Sequence, residues 1–189
     1  MKYVTNVFSE YHLIGINDAF RFGEWVDLCW FLDARWYWWN KEDFAKFKGL
    51  KVSGNRAPEI LGSVLEEPDI KVVRRNGKGG ICSKQNVIAT SGNSGASAVN
   101  LAYHLGAKRI ILVGFDMRMI NGKKNWFKHP GPKHGGSAQK MSFHRFIRSF
   151  AYIAKDAKKL GLKIYNATPD SALTMFPKTD FEVVYECFK

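Results

Sequence analysis

Short apolar runs alternate along this chain with longer segments whose apolar residues recur at helical spacing. The runs that predict strands are His12–Ile16, Val26–Leu32, Lys51–Ser53, Lys71–Arg74, Arg109–Gly114 and Leu162–Tyr165. The segments that predict helices are Trp36–Phe47, Gly92–Leu105 and Ser142–Leu160. This alternation favours a mostly parallel sheet with helices on both faces, because parallel strands need crossover connections. At 189 residues we expect a single α/β domain, residues 1–189.

The two clearest helices each end at a glycine. In the first, Leu101 and Leu105 are four residues apart, and Gly106 follows as a C-terminal cap. The second has one apolar face and is followed by Gly161. The residues of that face are Phe143, Phe146, Ile147, Phe150, Ile153, Ala154 and Ala157.

Polar side chains follow four of the predicted strands, where each strand ends. They are Asn17 with Asp18, then Asp33, Asp116 and Asn166. In a parallel sheet these ends share one edge, which is where open α/β sheets bind ligands. Such side chains suit ribose hydroxyls, a metal-bound phosphate or an amide-bearing base, and we predict a nucleotide there. The alternative is that each residue caps a turn or a helix, since Asn and Asp are favoured at both.

The loop Thr90–Gly95 opens the first clear helix with small residues. Ser91, Gly92 and Asn93 are its candidate ligand-binding residues, because free backbone N–H groups and the helix dipole favour an anion such as phosphate. The loop has neither the GxxxxGK[ST] pattern nor the GxGxxG pattern. A capped helix packed closely on a sheet is the alternative interpretation.

A segment rich in glycine, proline and histidine, residues 121–139, has the composition of a lid-like loop. His129 and His134 lie within it, and His144 lies shortly after it. A histidine held over a phosphate would serve as a general base or neutralise charge. Solvated loop histidines are the alternative.

Charge and cysteine content restrict the partners and the compartment. The formal net charge of +12 suits an anionic partner: nucleic acid, a nucleotide, a polyanionic glycan or an acidic membrane surface. Three cysteines without CxxC spacing favour neither a disulfide framework nor a zinc site. These cysteines lead us to expect a reducing, cytoplasmic compartment. We expect no membrane span, since we find no signal peptide and no apolar run of the necessary length. The run Trp36–Trp39 is either a stacking platform for a base or part of a core.

Two segments carry a resemblance to a known superfamily. The first is residues 89–116, which run from Ala-Thr-Ser-Gly to Leu-Val-Gly-Phe-Asp, and the second is residues 160–173, Leu-Gly-Leu-Lys-Ile-Tyr-Asn-Ala-Thr-Pro-Asp-Ser-Ala-Leu. Both resemble the nucleotide-binding core of the family 42 bacterial sialyltransferases. That superfamily includes motility-associated-factor glycosyltransferases and archaeal 6-hydroxymethylpterin diphosphokinases. The N-terminal segments Ile16-Asn-Asp-Ala-Phe and Leu32-Asp-Ala-Arg-Trp-Tyr-Trp are similar to phage- and prophage-encoded members.

The resemblance implies a Rossmann-like fold of the sialyltransferase type. It places nucleotide contacts at Asn17, Asp33, Ser91 and Gly92. It also implies a histidine general base ahead of the last long helix, which falls on His144. His129 is a rival, because phage members carry a similar His-Pro on this loop.

Two hypotheses about function follow. The first is a glycosyltransferase-like, nucleotide-dependent transferase that moves a sugar or a phosphoryl-linked group. Asp33 and Asp116 leave Mg²⁺ open as a cofactor, and no metal site is predicted. The second is a non-catalytic phage protein that binds a nucleotide or nucleic acid with the same fold. Three features favour it: the positive net charge, the tryptophans of the run Trp36–Trp39, and the absence of glycine from residues 1–10. Either hypothesis leaves a homo-oligomer open.

Overall fold

The computed structural model of the protein describes residues 11–54, 67–123 and 138–180, and every structural statement below concerns these residues. A 3₁₀ helix covers Asn17–Phe22. The other elements in chain order are β1 (Ile14–Ile16), β2 (Leu28–Phe31), α1 (Ala34–Ala45), β3 (Leu50–Ser53), β4 (Ile70–Val72), β5 (Arg74–Asn76), β6 (Val87–Ala89), α2 (Ser94–His104), β7 (Arg109–Leu112), α3 (Ala138–Leu160) and β8 (Lys163–Asn166).

The chain divides into two compact units. Unit 1 holds the described residues 11–54, 67–76 and 86–88, and unit 2 holds 77–85, 89–123 and 138–180. The expectation of a single domain stays a prediction.

Unit 1 contains a four-stranded sheet in the order β1-β2-β3-β4. All three neighbouring pairs are parallel. The central strand β2 is buried at every residue, which is what its uninterrupted apolar sequence predicts for a strand covered on both faces. The two short strands β5 and β6 pair with each other.

The core of unit 1 is built from aromatic side chains. The Phe31 and Trp36 rings lie 5.1 Å apart, and those of Phe20 and Phe44 lie 5.0 Å apart. Trp36 is only 4% exposed. The structure therefore supports the core interpretation of this tryptophan rather than the stacking platform.

Unit 2 is organised around β7 and β8, which pair in parallel, with Leu112 opposite Asn166. Phe150 and Ile153 of α3 are fully buried against this pair. Both belong to the apolar face predicted for that helix. No helix within residues 11–54, 67–123 and 138–180 combines the length and the hydrophobicity of a membrane-spanning helix.

The α/β class with parallel strands is confirmed, while several boundaries differ from those predicted. The single strand expected at Lys71–Arg74 is two strands, because β4 ends at Val72 and β5 begins at Arg74. The three-residue strand β6 was not predicted, because its apolar run is only three residues long, whereas β1, which is equally short, lies in the longer apolar run His12–Ile16. Helix α3 begins at Ala138, so the end of the expected lid-like loop 121–139 is helical.

Candidate functional site

The turn that leads from β6 into α2 is the clearest candidate site in unit 2. Ser91 and Gly92 both adopt the left-handed backbone conformation, with φ of 49° and 62°. Gly92 is exposed, and the N–H of Asn93 donates to the carbonyl of Thr90 at 2.9 Å. Left-handed conformation is uncommon for a serine, and such residues concentrate at turns and functional sites.

Asn93 is the N-cap of α2. Its Oδ1 accepts from the N–H groups of Gly95 at 2.8 Å and Ala96 at 3.2 Å. Its Nδ2 is buried and has no hydrogen-bond partner. The backbone N–H groups of Gly92 and Ser94 also lack a partner in the part of the chain that the structure describes. Three donors without a described acceptor therefore lie at the N-terminal end of α2, where the helix dipole favours an anion.

Helix α3 packs beside this turn. Ser149 Oγ lies 3.2 Å from the carbonyl oxygen of Ser91 and 3.0 Å from that of Arg145, so its one proton is shared between these two acceptors. His144 lies five residues before Ser149, about 7.5 Å along the helix axis. His144 and Arg145 are both exposed. The predicted general base thus lies on the helix that contacts the candidate anion site.

Asp116 lies past the carboxyl end of β7. Its backbone oxygen accepts from the N–H of Ala172 at 2.9 Å, and the preceding Phe115 N–H donates to Thr168 Oγ1 at 2.9 Å. The carboxylate makes no hydrogen bond or ion pair with any described residue. A Cβ on Gly95 would come within 2.7 Å of the Phe115 ring, so glycine lets this segment lie against the start of α2. Asp116 and the α2 entrance are therefore parts of one edge of unit 2.

Asn166, the last residue of β8, has a structural role. It is 1% exposed, its Oδ1 accepts from the Thr168 N–H at 3.0 Å, and its Nδ2 donates to the Leu173 carbonyl at 3.3 Å. Its amide shapes the loop after the strand, and a ligand would have to compete with these bonds.

The predicted residues of unit 1 lie at the carboxyl ends of β1 and β2. Asn17 has a left-handed φ of 52°. Asp18 is buried, and its Oδ2 accepts from Trp36 Nε1 at 2.8 Å. Asp33 is the N-cap of α1 and accepts from the Arg35 backbone and guanidinium, hydrogen bonds that raise the pKa of Arg35. The side chains of both aspartates thus have protein partners already.

Cys29, within β2, is fully buried. Burial raises the pKa of the Cys29 thiol far above its ordinary value, with a smaller contribution from Asp18, so this cysteine is not a nucleophile. The described residues contain no group of three His, Cys, Asp or Glu side chains suited to a metal ion. His129 and most of the lid-like loop lie outside the described residues.

Sequence analysis missed three hydroxyl groups that fix this edge, those of Ser149, Thr168 and Ser171. Ser171 Oγ donates to the Phe115 carbonyl, 56 residues away in sequence. Ser149 and Ser91 are 58 residues apart. Serine and threonine are too common for a sequence signal to have singled these three out.

Comparison with protein-family models, with curated proteins and with solved structures finds no match to this chain.

Proposed function

We propose that this protein binds a nucleotide through its phosphates at the N-terminus of α2 and uses it as a donor in a glycosyltransferase-like reaction. The observation that carries this proposal is the set of unsatisfied donors at the α2 entrance: the N–H groups of Gly92 and Ser94, and Asn93 Nδ2. Asn93 Nδ2 is the buried donor of the three, and leaving a buried donor without an acceptor costs about 1–3 kcal/mol. A bound phosphate would supply acceptors to this entrance.

Two side chains of unit 2, those of His144 and Asp116, are candidates for the transfer of a sugar or a phosphoryl-linked group. A base on α3, His144, would take the proton of an acceptor hydroxyl as its oxygen attacks the carbon or phosphorus being transferred. The bond from that centre to the nucleotide oxygen breaks, and its electron pair leaves on the phosphate at the helix N-terminus. Asp116, whose carboxylate has no partner among the described residues, would be a candidate Mg²⁺ ligand on this edge.

A finer description of the fold belongs to this proposal. A Rossmann-like domain of the sialyltransferase type is supported by the parallel pairing within each unit. It is also supported by the short connection from β6 into α2, because a strand–turn–helix unit of this kind presents a helix N-terminus to a phosphate. The resemblance of residues 89–116 and 160–173 to the superfamily points the same way.

A thermal-shift panel tests nucleotide binding. The panel contains CMP, CDP, UDP, GDP, ADP and their sugar conjugates, with and without Mg²⁺, and inorganic pyrophosphate as a phosphate-only probe. We expect one base to raise the melting temperature specifically, and pyrophosphate to compete with it. If no nucleotide shifts the melting temperature at millimolar concentration, the proposal is wrong.

Histidine variants then test catalysis with the donor that the panel identifies. His144→Gln should retain donor affinity and lose turnover, because a general base acts in the transition state and contributes about 10²–10⁴-fold. His129→Gln is the rival variant. His104→Gln is the control, since its Nε2 lies 2.8 Å from the Cys82 carbonyl oxygen and has a structural role. Full turnover in both His144→Gln and His129→Gln would exclude a histidine base at either position.

A further inference from the structure

One face of α3 carries a continuous row of exposed residues, of which only His144 has a role in the proposed function. His144, Arg148, Tyr152, Lys155 and Lys159 are all exposed, and their spacings of four, four, three and four residues keep them on one side of a helix. We call these five residues the α3 basic face. At 1.5 Å per residue it extends for about 22 Å. The opposite side of the helix carries the buried Phe150, Ile153 and Ala157.

Among the described residues, no acid is paired with the cations of the α3 basic face. Arg148, Lys155 and Lys159 form no ion pair with any described residue. The one acid within residues 143–160 is Asp156, whose carboxylate accepts a hydrogen bond from the Ile81 N–H at 2.9 Å. Solvated helix faces usually intersperse both signs of charge, and this one does not.

An aromatic ring lies within the row of cations. Tyr152 is 53% exposed, although a large aromatic side chain is ordinarily buried to a greater extent. Gly79 approaches this ring so closely that a Cβ there would lie 3.1 Å from Tyr152 Cδ2. An exposed ring supported from one side and flanked by cations is suited to stacking on a nucleic-acid base.

We propose that the α3 basic face binds single-stranded nucleic acid, with Arg148, Lys155 and Lys159 on successive phosphates and Tyr152 stacked on a base. The cations match a polyanion, and the formal net charge of +12 for the whole chain adds long-range attraction. The tyrosine favours a single strand over a duplex, because the bases of a duplex are already stacked on one another. The inference does not depend on the nucleotide-donor proposal.

Fluorescence anisotropy with a labelled mixed-sequence 20-nucleotide strand, DNA and RNA, tests this. The test variant is R148Q/K155Q/K159Q. The matched control is K48Q/K71Q/R75Q, which removes three exposed cations from unit 1 and changes the net charge equally. Glutamine is a good helix former, so we expect the helix to persist, and circular dichroism checks it.

We expect wild-type binding to weaken with salt, and the α3 variant to bind at least about tenfold more weakly, with a salt slope smaller by about 2 for three lost phosphate contacts. The control should change affinity by less than about threefold, since the charges it removes make no phosphate contact. Tyr152→Ala should weaken binding by about fivefold or more through lost stacking.

Several results would overturn the proposal. Equal losses in the two triple variants would show a general charge effect, and equal binding of polyglutamate would show that any polyanion suffices. Tighter binding of a duplex than of a single strand would refute the single-strand assignment. If the α3 variant unfolds, acetylation of the lysines of the wild-type protein tests the proposal instead. A bound strand should protect Lys155 and Lys159 from acetylation and leave Lys48 and Lys71 reactive, and any other pattern would refute the proposal. A variant that blocks the α2 entrance should bind the strand with the affinity of the wild-type protein. That result would show that the strand and the nucleotide bind at different sites.

Discussion

Replacing Asn93 by aspartate tests the candidate anion site with little change to the fold. Aspartate is as good an N-cap as asparagine. One carboxylate oxygen can keep both hydrogen bonds that Asn93 Oδ1 accepts, from Gly95 at 2.8 Å and Ala96 at 3.2 Å. The other oxygen replaces the unpartnered Nδ2 donor with a negative charge. The substitution therefore changes the electrostatics at the α2 entrance and preserves its backbone geometry.

The expected magnitude follows from the distance between the two charges. If a phosphate held by the N–H groups of Gly92 and Ser94 is taken to lie about 5 Å from the new carboxylate, the two unit charges repel by about 3 kcal/mol at an effective dielectric constant of 20. That repulsion corresponds to about a hundredfold weaker binding. Salt screens part of it, so we expect a loss of at least about tenfold at physiological ionic strength and a larger loss in dilute buffer.

Isothermal titration calorimetry at two salt concentrations measures this loss, with pyrophosphate and the nucleotide selected by thermal shift as ligands. Asn86→Asp is the matched control, because Asn86 is exposed, has a left-handed φ of 60° and lies at the opposite end of β6 from the α2 entrance. Asn93→Ser keeps a capping oxygen without adding charge, and it should weaken binding less. A folded Asn93→Asp protein whose affinity stays within about threefold of wild type would refute the assignment of the phosphate to this helix.

Three further predictions concern unit 1. Because burial raises the pKa of Cys29 and covers its thiol, iodoacetamide should label this residue only under denaturing conditions, as mass spectrometry of the labelled peptide would show. Arg21 lowers the pKa of Asp43 below its ordinary value of 3.8, so this ion pair stabilises the fold above pH 3.8 and ceases to do so as the pH falls through the folded-state pKa of Asp43. In urea titrations, the difference in unfolding free energy between wild type and Asp43→Asn should therefore shrink on acidification. A difference that stays constant with pH would contradict this prediction. Trp36→Phe removes the buried hydrogen-bond donor to Asp18 and should lower the free energy of unfolding by about 1–3 kcal/mol, which corresponds to a melting temperature lower by several degrees. An unchanged melting curve would contradict this prediction.

The sequence predicted the elements whose signals are local. The apolar run around Cys29 and the helical periodicity of residues 142–160 both correspond to observed elements, because burial on two faces and burial on one face leave different patterns. The strand β6 was missed because its apolar run is only the three residues between Asn86 and Thr90, whereas β1, equally short as a strand, lies in the longer apolar run His12–Ile16. Local signals were therefore sufficient for the fold class and insufficient for a strand whose apolar run is this short.

The candidate site shows a different limit of prediction. Asparagine and aspartate at strand ends serve equally as caps and as ligands, so the sequence could not distinguish Asn166, whose amide is fully engaged, from Asp116, whose carboxylate has no described partner. The contact between Ser149 and Ser91 depends on how α3 packs, which no local pattern encodes. Three-dimensional placement was needed to choose among residues of the same type.

The division of the chain into two units has a consequence for dissecting the protein. The path leaves unit 1 after Asn76, returns to it at Asn86 and leaves it again after Ile88. Cleavage at any one peptide bond therefore cannot yield two intact units. A protease that cuts after Asn76 would separate β5 from its partner strand β6, so neither product should fold as its unit does in the whole chain. The role of each unit should therefore be tested by point substitutions in the whole chain rather than by truncation.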